Sequence, residues 1–224
     1  MGNYLRCNDF KETDYEKLLI NILKVYKDCN ITSFPIDCSA ILKYYGFHVF
    51  GYSRLKEIND ELYQICHRCT DDAFTYKQII AYNDKTNPGR IRFSLMHELG
   101  HFFMDSSGLE YPSEKLVDYF ASNILAPRAA IFRYRCKTYG EIHDIFDISY
   151  AAARRALEDY KSLRISVSDI DQEIWNHFFK SQIRERINIE NNNEENTRYS
   201  LWSEWHEDML TYAPHMLTPT LLRC

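Results

Sequence analysis

His97-Glu98-Leu99-Gly100-His101 puts two imidazoles and a carboxylate within five consecutive residues. On an α-helix, positions i and i+4 lie one above the other, so His97 and His101 can offer their rings to a single metal ion. Glu98 projects about 100° further round the helix, beside the coordination position that such ligands leave open. A carboxylate there can take a proton from water, which is the chemistry of zinc-dependent peptide hydrolysis.

The pattern carries this meaning only on a helix, and the flanking residues supply one. Asn87 suits the N-cap, and Pro88 suits the first helical position, where its missing N–H costs nothing. Ile91, Leu95, Leu99 and Phe102 follow at three- and four-residue spacing, an expected inward face. The spacing predicts a helix over 88–104.

A catalytic zinc site needs a third protein ligand. Glu114 is the best candidate, past the turn-like Ser106-Ser107-Gly108 and at the start of an amphipathic segment opened by Pro112. Glu110 is its rival, and Glu114 also fits as an ordinary first-turn glutamate favoured by the helix dipole. Asp118 falls on the same face four residues later, where it can accept a hydrogen bond from the outer nitrogen of a ligating histidine. Leu116, Phe120 and Ile124 form the opposite, inward stripe.

Taken together, Arg90-Ile91-Arg92-Phe93-Ser94-Leu95-Met96-His97-Glu98-Leu99-Gly100-His101, then Glu114, Asp118, Phe120-Ala121 and Leu125-Ala126-Pro127, resemble the ImmA/IrrE family of bacterial zinc metallopeptidases. Val117 stands where the family's second motif usually has alanine, and Ala126 where it has methionine or leucine; neither position touches the chemistry. Tyr15 to Leu23 and Phe34-Pro35-Ile36-Asp37 are similar to the family's opening helix and its P-I-D turn, so the resemblance spans about residues 12–160. It implies zinc bound by His97, His101 and Glu114, catalysis by Glu98, and a helix-turn-helix transcriptional repressor as substrate, often encoded beside the peptidase on a phage or mobile element. The alternative is a zinc-stabilised regulator that binds a repressor or DNA without cutting.

Composition sets the wider frame. The chain has 224 residues, 45% of them hydrophobic, and no apolar run approaching the roughly 18 residues of a membrane span. No apolar signal segment opens it, and Arg6 stands where acylation after Met1-Gly2 wants serine or threonine, so a cytoplasmic protein is expected. Seven scattered cysteines then read as reduced packing residues. Cys66-His67-Arg68-Cys69 is a lone CxxC without a fourth partner for a second zinc, and a strand or loop thiol pair is its default reading. A net charge of -5 disfavours a phosphate backbone unless a basic patch intervenes. Arg154 and Arg155 are the nearest case, on the second of two helices, Glu141–Phe146 and Ser149–Tyr160, set at helix-turn-helix spacing. Ala151, Ala152, Ala156, Leu157 and Tyr160 favour a helix-packing role for that second helix.

Periodicity places the remaining elements. Asp14 to Lys27 and Ile36 to Tyr45 read as helices, the second ended near Gly46. Phe47 to Tyr52, Leu62 to Arg68 and Tyr76 to Tyr82 read as strands. Asp169 to Ile187 reads as a helix with Ile170, Ile174, Phe178 and Ile183 inward. The fold class is therefore α+β: a zincin-like core, with a small antiparallel or mixed sheet and the HExxH helix, over residues 1–135, then a helical, helix-turn-helix-like subdomain over 136–189. Residues 190–196, all asparagine and glutamate, read as a solvated linker, and 199–224, with Trp202 and Trp205, as a tail able to dock on the core, a partner or a cleft. His206 and His215 in that tail read as surface histidines. An oxyanion-stabilising donor is left open among Tyr134, Arg133 and His143.

Overall fold

A computed structural model describes residues 12–106, 114–161 and 168–187. Ser107-Gly108, Glu110, Pro112, the 190–196 linker and the 199–224 tail with its tryptophans and His206 and His215 lie outside these residues. The order is α1 (Glu12–Asp28), α2 (Cys38–Tyr44), β1 (His48–Gly51), α3 (Tyr52–Ile58), α4 (Asp60–Cys69), β2 (Ala73–Tyr76) and β3 (Ile79–Tyr82). There follow α5 (Pro88–Ser106), α6 (Glu114–Leu125), α7 (Arg128–Arg133), α8 (Tyr139–Phe146), α9 (Tyr150–Lys161) and α10 (Asp169–Ile187). The fold is mixed α+β and mostly helical.

The sheet has strand order β1-β3-β2, with β1 parallel and β2 antiparallel to β3. It is therefore mixed, and two of the expected strands are corrected. Leu62 to Arg68 is not a strand but most of α4. Asn59 accepts a 3.0 Å hydrogen bond from the Leu62 N–H, Asp60 and Glu61 occupy the positive first turn, and His67 and Arg68 the last. The 76–82 stretch is not continuous: Lys77, at φ 55, turns the chain between β2 and β3. Cys66 and Cys69 accordingly sit on a helix, the first buried against the sheet and the second exposed.

Side chains alternate across the strands, so the sheet has two faces. Val49, Ile80 and Thr75 align across the strands on one face, and Phe50, Ala81 and Phe74 on the other. The first packs towards α5 and the main core. The second is covered by α3 and α4 through Tyr52, Leu55 and Cys66.

The main core runs from Tyr15, Leu18, Leu19 and Ile22 of α1 through α5 and α6 to Ile174 and Phe178 of α10. Ile170 is partly buried beside it, and the Ile183 side chain lies outside the described residues. Leu95 and Leu99 face inward as their spacing requires, but Phe102 is 43% exposed, and Met96 and Phe103 take the buried places beside them. In α9 the buried positions are Ala153 and Leu157; Ala152, Ala156 and Tyr160 pack partly, and Ala151 is exposed.

Three polar ties fix the frame around α5. Asn87 caps it, accepting from the Arg90 N–H at 2.9 Å. Arg92 donates to the Ile36 carbonyl at 2.9 Å and pairs with Asp147 at 3.6 Å, joining α5 to the turn before α2 and to the end of α8. Asp37, the last residue of that turn, caps α2 through the Ala40 N–H. Further out, Arg128 of α7 and Asp171 of α10 form a buried ion pair, with Arg128 Nε donating to Asp171 at 2.8 Å.

Candidate metal centre

The two histidines lie one turn apart on α5, their Nε2 atoms 3.1 Å from each other. Glu114, the first residue of α6, brings Oε2 to 3.3 Å from His97 Nε2 and 3.7 Å from His101 Nε2. Nitrogen and oxygen ligands at about 2.0–2.1 Å from a tetrahedral ion stand roughly 3.3 Å apart, so the three atoms have the separations that a shared ion needs. These residues form the group among the described ones able to hold a metal ion. The Glu114 side chain is 74% exposed, so this side of the group faces solvent.

The packing of α5 on α6 creates this meeting. A Cβ on Gly100 would stand 2.9 Å from Val117 Cγ1 and 3.1 Å from Phe120 Cδ1, so the glycine inside the motif is what allows the close approach. The buried stripe Leu116, Phe120 and Ile124 then fixes the rotation of α6 and turns Glu114 and Asp118 towards the histidines.

Asp118 settles the state of one ring. His97 Nδ1 lies 2.8 Å from Asp118 Oδ1, and because a carboxylate only accepts, Nδ1 carries the proton. Nε2 of His97 is left as a lone pair facing His101 and Glu114, the tautomer a metal requires. Burial opposes charge on this ring, but Asp118, through its hydrogen bond and its charge, with Glu98 and Glu114 adding, holds the His97 pKa above its ordinary value.

Glu98 points to the sheet and accepts a hydrogen bond from the Thr75 hydroxyl at 2.6 Å. Burial raises its pKa; the Thr75 hydrogen bond and the two nearby histidines act in the opposite sense without cancelling that rise. A carboxylate so placed is a stronger proton acceptor than a solvated one.

Sequence reasoning missed a supporting layer. Arg90 Nε donates to Asp72 at 2.8 Å, which keeps the Asp72 pKa low, and Arg90 also feels the charge of Asp118. Arg90 opens the stretch that carries the family resemblance and lies seven residues, two helical turns, before His97, and these are the signals for it. Asp72 and Thr75 were hidden because β2 was not recognised as a strand. The described contacts of the three oxyanion candidates are with residues outside the metal group. Tyr134 packs on Phe34 and Phe146, Arg133 lies over the rings of Tyr134 and Trp175, and His143 donates from Nδ1 to the Ile148 carbonyl at 2.5 Å while stacking on Tyr150.

Residues 52–158, a little under half of the chain, match the Peptidase_M78 family, described as an IrrE N-terminal-like domain. The ImmA/IrrE resemblance is borne out over that stretch. No curated protein and no solved structure matches the chain. The IrrE N-terminal-like segment begins at α3 and includes every residue of the site: Asp72, Thr75, Arg90, His97, Glu98, His101, Glu114 and Asp118. It supports a peptidase of the metal-dependent type, and the His97/His101/Glu114 group can bind a metal ion. Among the described residues, no helix is long and apolar enough to cross a membrane.

Proposed function

We propose that this protein is a zinc-dependent endopeptidase whose ion is held by His97, His101 and Glu114 and whose general base is Glu98, on a zincin-like core. The observation that carries the reading is the triangle of two imidazole nitrogens and one carboxylate oxygen, with Asp118 fixing the tautomer of His97. Two nitrogens and one oxygen, with a fourth position left to water, suit catalytic zinc. Zinc bound there supplies Lewis acidity, polarising a carbonyl and acidifying water.

The protein's own residues supply the rest. Glu98 accepts the proton that water loses as it attacks the scissile carbonyl, then passes it to the departing amine, so it ends the cycle as it began. Its partial burial suits both halves, since a raised pKa makes the carboxylate a better acceptor while leaving the acid able to donate. The edge of β2 that no described strand covers offers an extended segment a strand to pair with, beside Glu98. The substrate class, a helix-turn-helix repressor, follows from the family resemblance, and a cytoplasmic site of action fits such a substrate.

The test is co-expression of the chain with the product of the adjacent gene, the repressor that this reading expects there. Wild type should cleave the repressor; Glu98→Gln should retain one zinc per chain and cut at least about 100-fold more slowly. Cleavage by that variant at the wild-type rate defeats the base assignment. Equal relief of repression by both proteins, without cleavage, favours the regulator that binds and does not cut.

A further inference from the structure

On the α5 face of the sheet a polar side chain interrupts an apolar row. Val49 and Ile80 pack into the main core, and between them and the edge stands Thr75, whose hydroxyl donates to Glu98 Oε2 at 2.6 Å. Valine has almost the same shape as threonine, so filling this space does not require the hydroxyl. What the hydroxyl adds is a fixed partner for a side chain with three rotatable bonds. One carboxylate oxygen is pinned and the other remains to accept a proton.

The backbone of the same residue has a second orientation to offer. The Asn83 N–H donates to the Asp72 carbonyl at 2.7 Å, immediately beyond the paired residues of the hairpin. Antiparallel pairs alternate between hydrogen-bonded and non-hydrogen-bonded. Phe74↔Ala81 and Tyr76↔Ile79 are therefore bonded pairs, whereas Ala73↔Tyr82 and Thr75↔Ile80 are not. It follows that the N–H and C=O of Thr75 point away from β3, towards the edge of β2 that no described strand covers.

We propose that Thr75 is a positioning residue which holds the Glu98 carboxylate with its hydroxyl while its peptide group receives an extended substrate, so that one residue sets the register between scissile bond and base. The proposal rests on the peptidase reading above and extends it to a residue on the opposite element. Positioning of this kind matters because a misplacement on the order of 1 Å at a reacting group can cost about 100-fold in rate.

Acetohydroxamic acid is a suitable probe, since it chelates a metal ion and gives its proton to a neighbouring carboxylate. Cobalt-loaded wild type, Thr75→Val, Thr75→Ser and Glu98→Gln would be titrated with it, following the visible cobalt absorption, and cobalt affinity would be measured separately. Thr75→Val should bind acetohydroxamate about tenfold more weakly, because a glutamate side chain that the hydroxyl no longer pins must lose its rotamer freedom when the probe binds. Thr75→Ser should return to within about twofold of wild type, with cobalt affinity equal throughout. The proposal is overturned if Thr75→Val binds the probe like wild type, if serine restores nothing, or if cobalt affinity falls in step with probe affinity. Failure of wild type to take up cobalt, or equal probe binding by Glu98→Gln, overturns the metal or base reading itself, and Thr75's role with it.

Discussion

The two faces of the three-stranded sheet are made from the same strands and obey different rules. On the α3–α4 face, Phe50, Phe74 and Ala81 meet Tyr52, Leu55 and Cys66, and the Tyr52 hydroxyl finds its partner in the Thr70 carbonyl at 3.0 Å. On the α5 face, Val49 and Ile80 join the main core, but Thr75 finds its partner in a side chain, Glu98. A polar group satisfied by backbone is locked into the fold. One satisfied by a titratable side chain on another element can take part in proton transfer. The lesson is that the packing face should answer to mutation in stability, and the α5 face in metal binding and catalysis.

Leu55→Ala gives the largest stability effect and the clearest way to break that division. Leu55 is 3% exposed in the smaller core, and truncation should cost about 2–4 kcal/mol. Denaturant unfolding would measure the loss, and zinc affinity of the folded fraction should stay within about twofold of wild type. Intact stability with a tenfold loss of zinc affinity would mean that the faces are not separable.

The same division governs how much was legible in the sequence. The α5 face was readable because its helices carry long-period signals: Asn87-Pro88 opens α5, His97 and His101 sit four apart, and Leu116, Phe120 and Ile124 orient α6. The α3–α4 face was misread. In α4, Leu62, Tyr63, Ile65 and Cys66 form a short apolar cluster that suits a buried strand as well as a helix, and the capping by Asn59 decided the outcome. With a false strand occupying 62–68, the four-residue β2 went unseen, and Thr75 and Asp72 with it. Phe102 shows a different limit. It continues the three- and four-residue spacing of Leu95 and Leu99, yet the tight approach of α6 at Gly100 rotates the buried stripe to Met96 and Phe103. Local period sets which residues share a helix face; the neighbouring helix decides how far that face extends.

Asp118→Ala probes the other side of the comparison. Asp118 is 41% exposed, so its removal should change folding stability by no more than about 1 kcal/mol. Its work is on His97, whose Nδ1 proton and ring orientation it holds. Loss of an outer-shell carboxylate typically weakens a metal site 10- to 100-fold, and competition with a chromophoric chelator would read that change directly. An equal loss of stability and zinc affinity would make Asp118 a packing residue and blur the contrast between the two faces.

Gly100→Ala is the finest cut, because two opposing effects nearly cancel in stability. Alanine gains about 1 kcal/mol over glycine within a helix. The new methyl meets Val117 Cγ1 at 2.9 Å, and Val117 is fully buried, so the overpacking costs roughly 1–3 kcal/mol. The net change in folding stability should be a loss of about 1 kcal/mol. Zinc affinity should nevertheless fall, since relief of the clash moves α6 away from α5, and Glu114 and Asp118 both ride on α6 while the histidines ride on α5. Calorimetric zinc titration beside a thermal melt separates the two quantities. If affinity is unchanged, the helices absorb the methyl by shifting Val117 alone, and the glycine of the motif serves packing without setting the distance between the ligands.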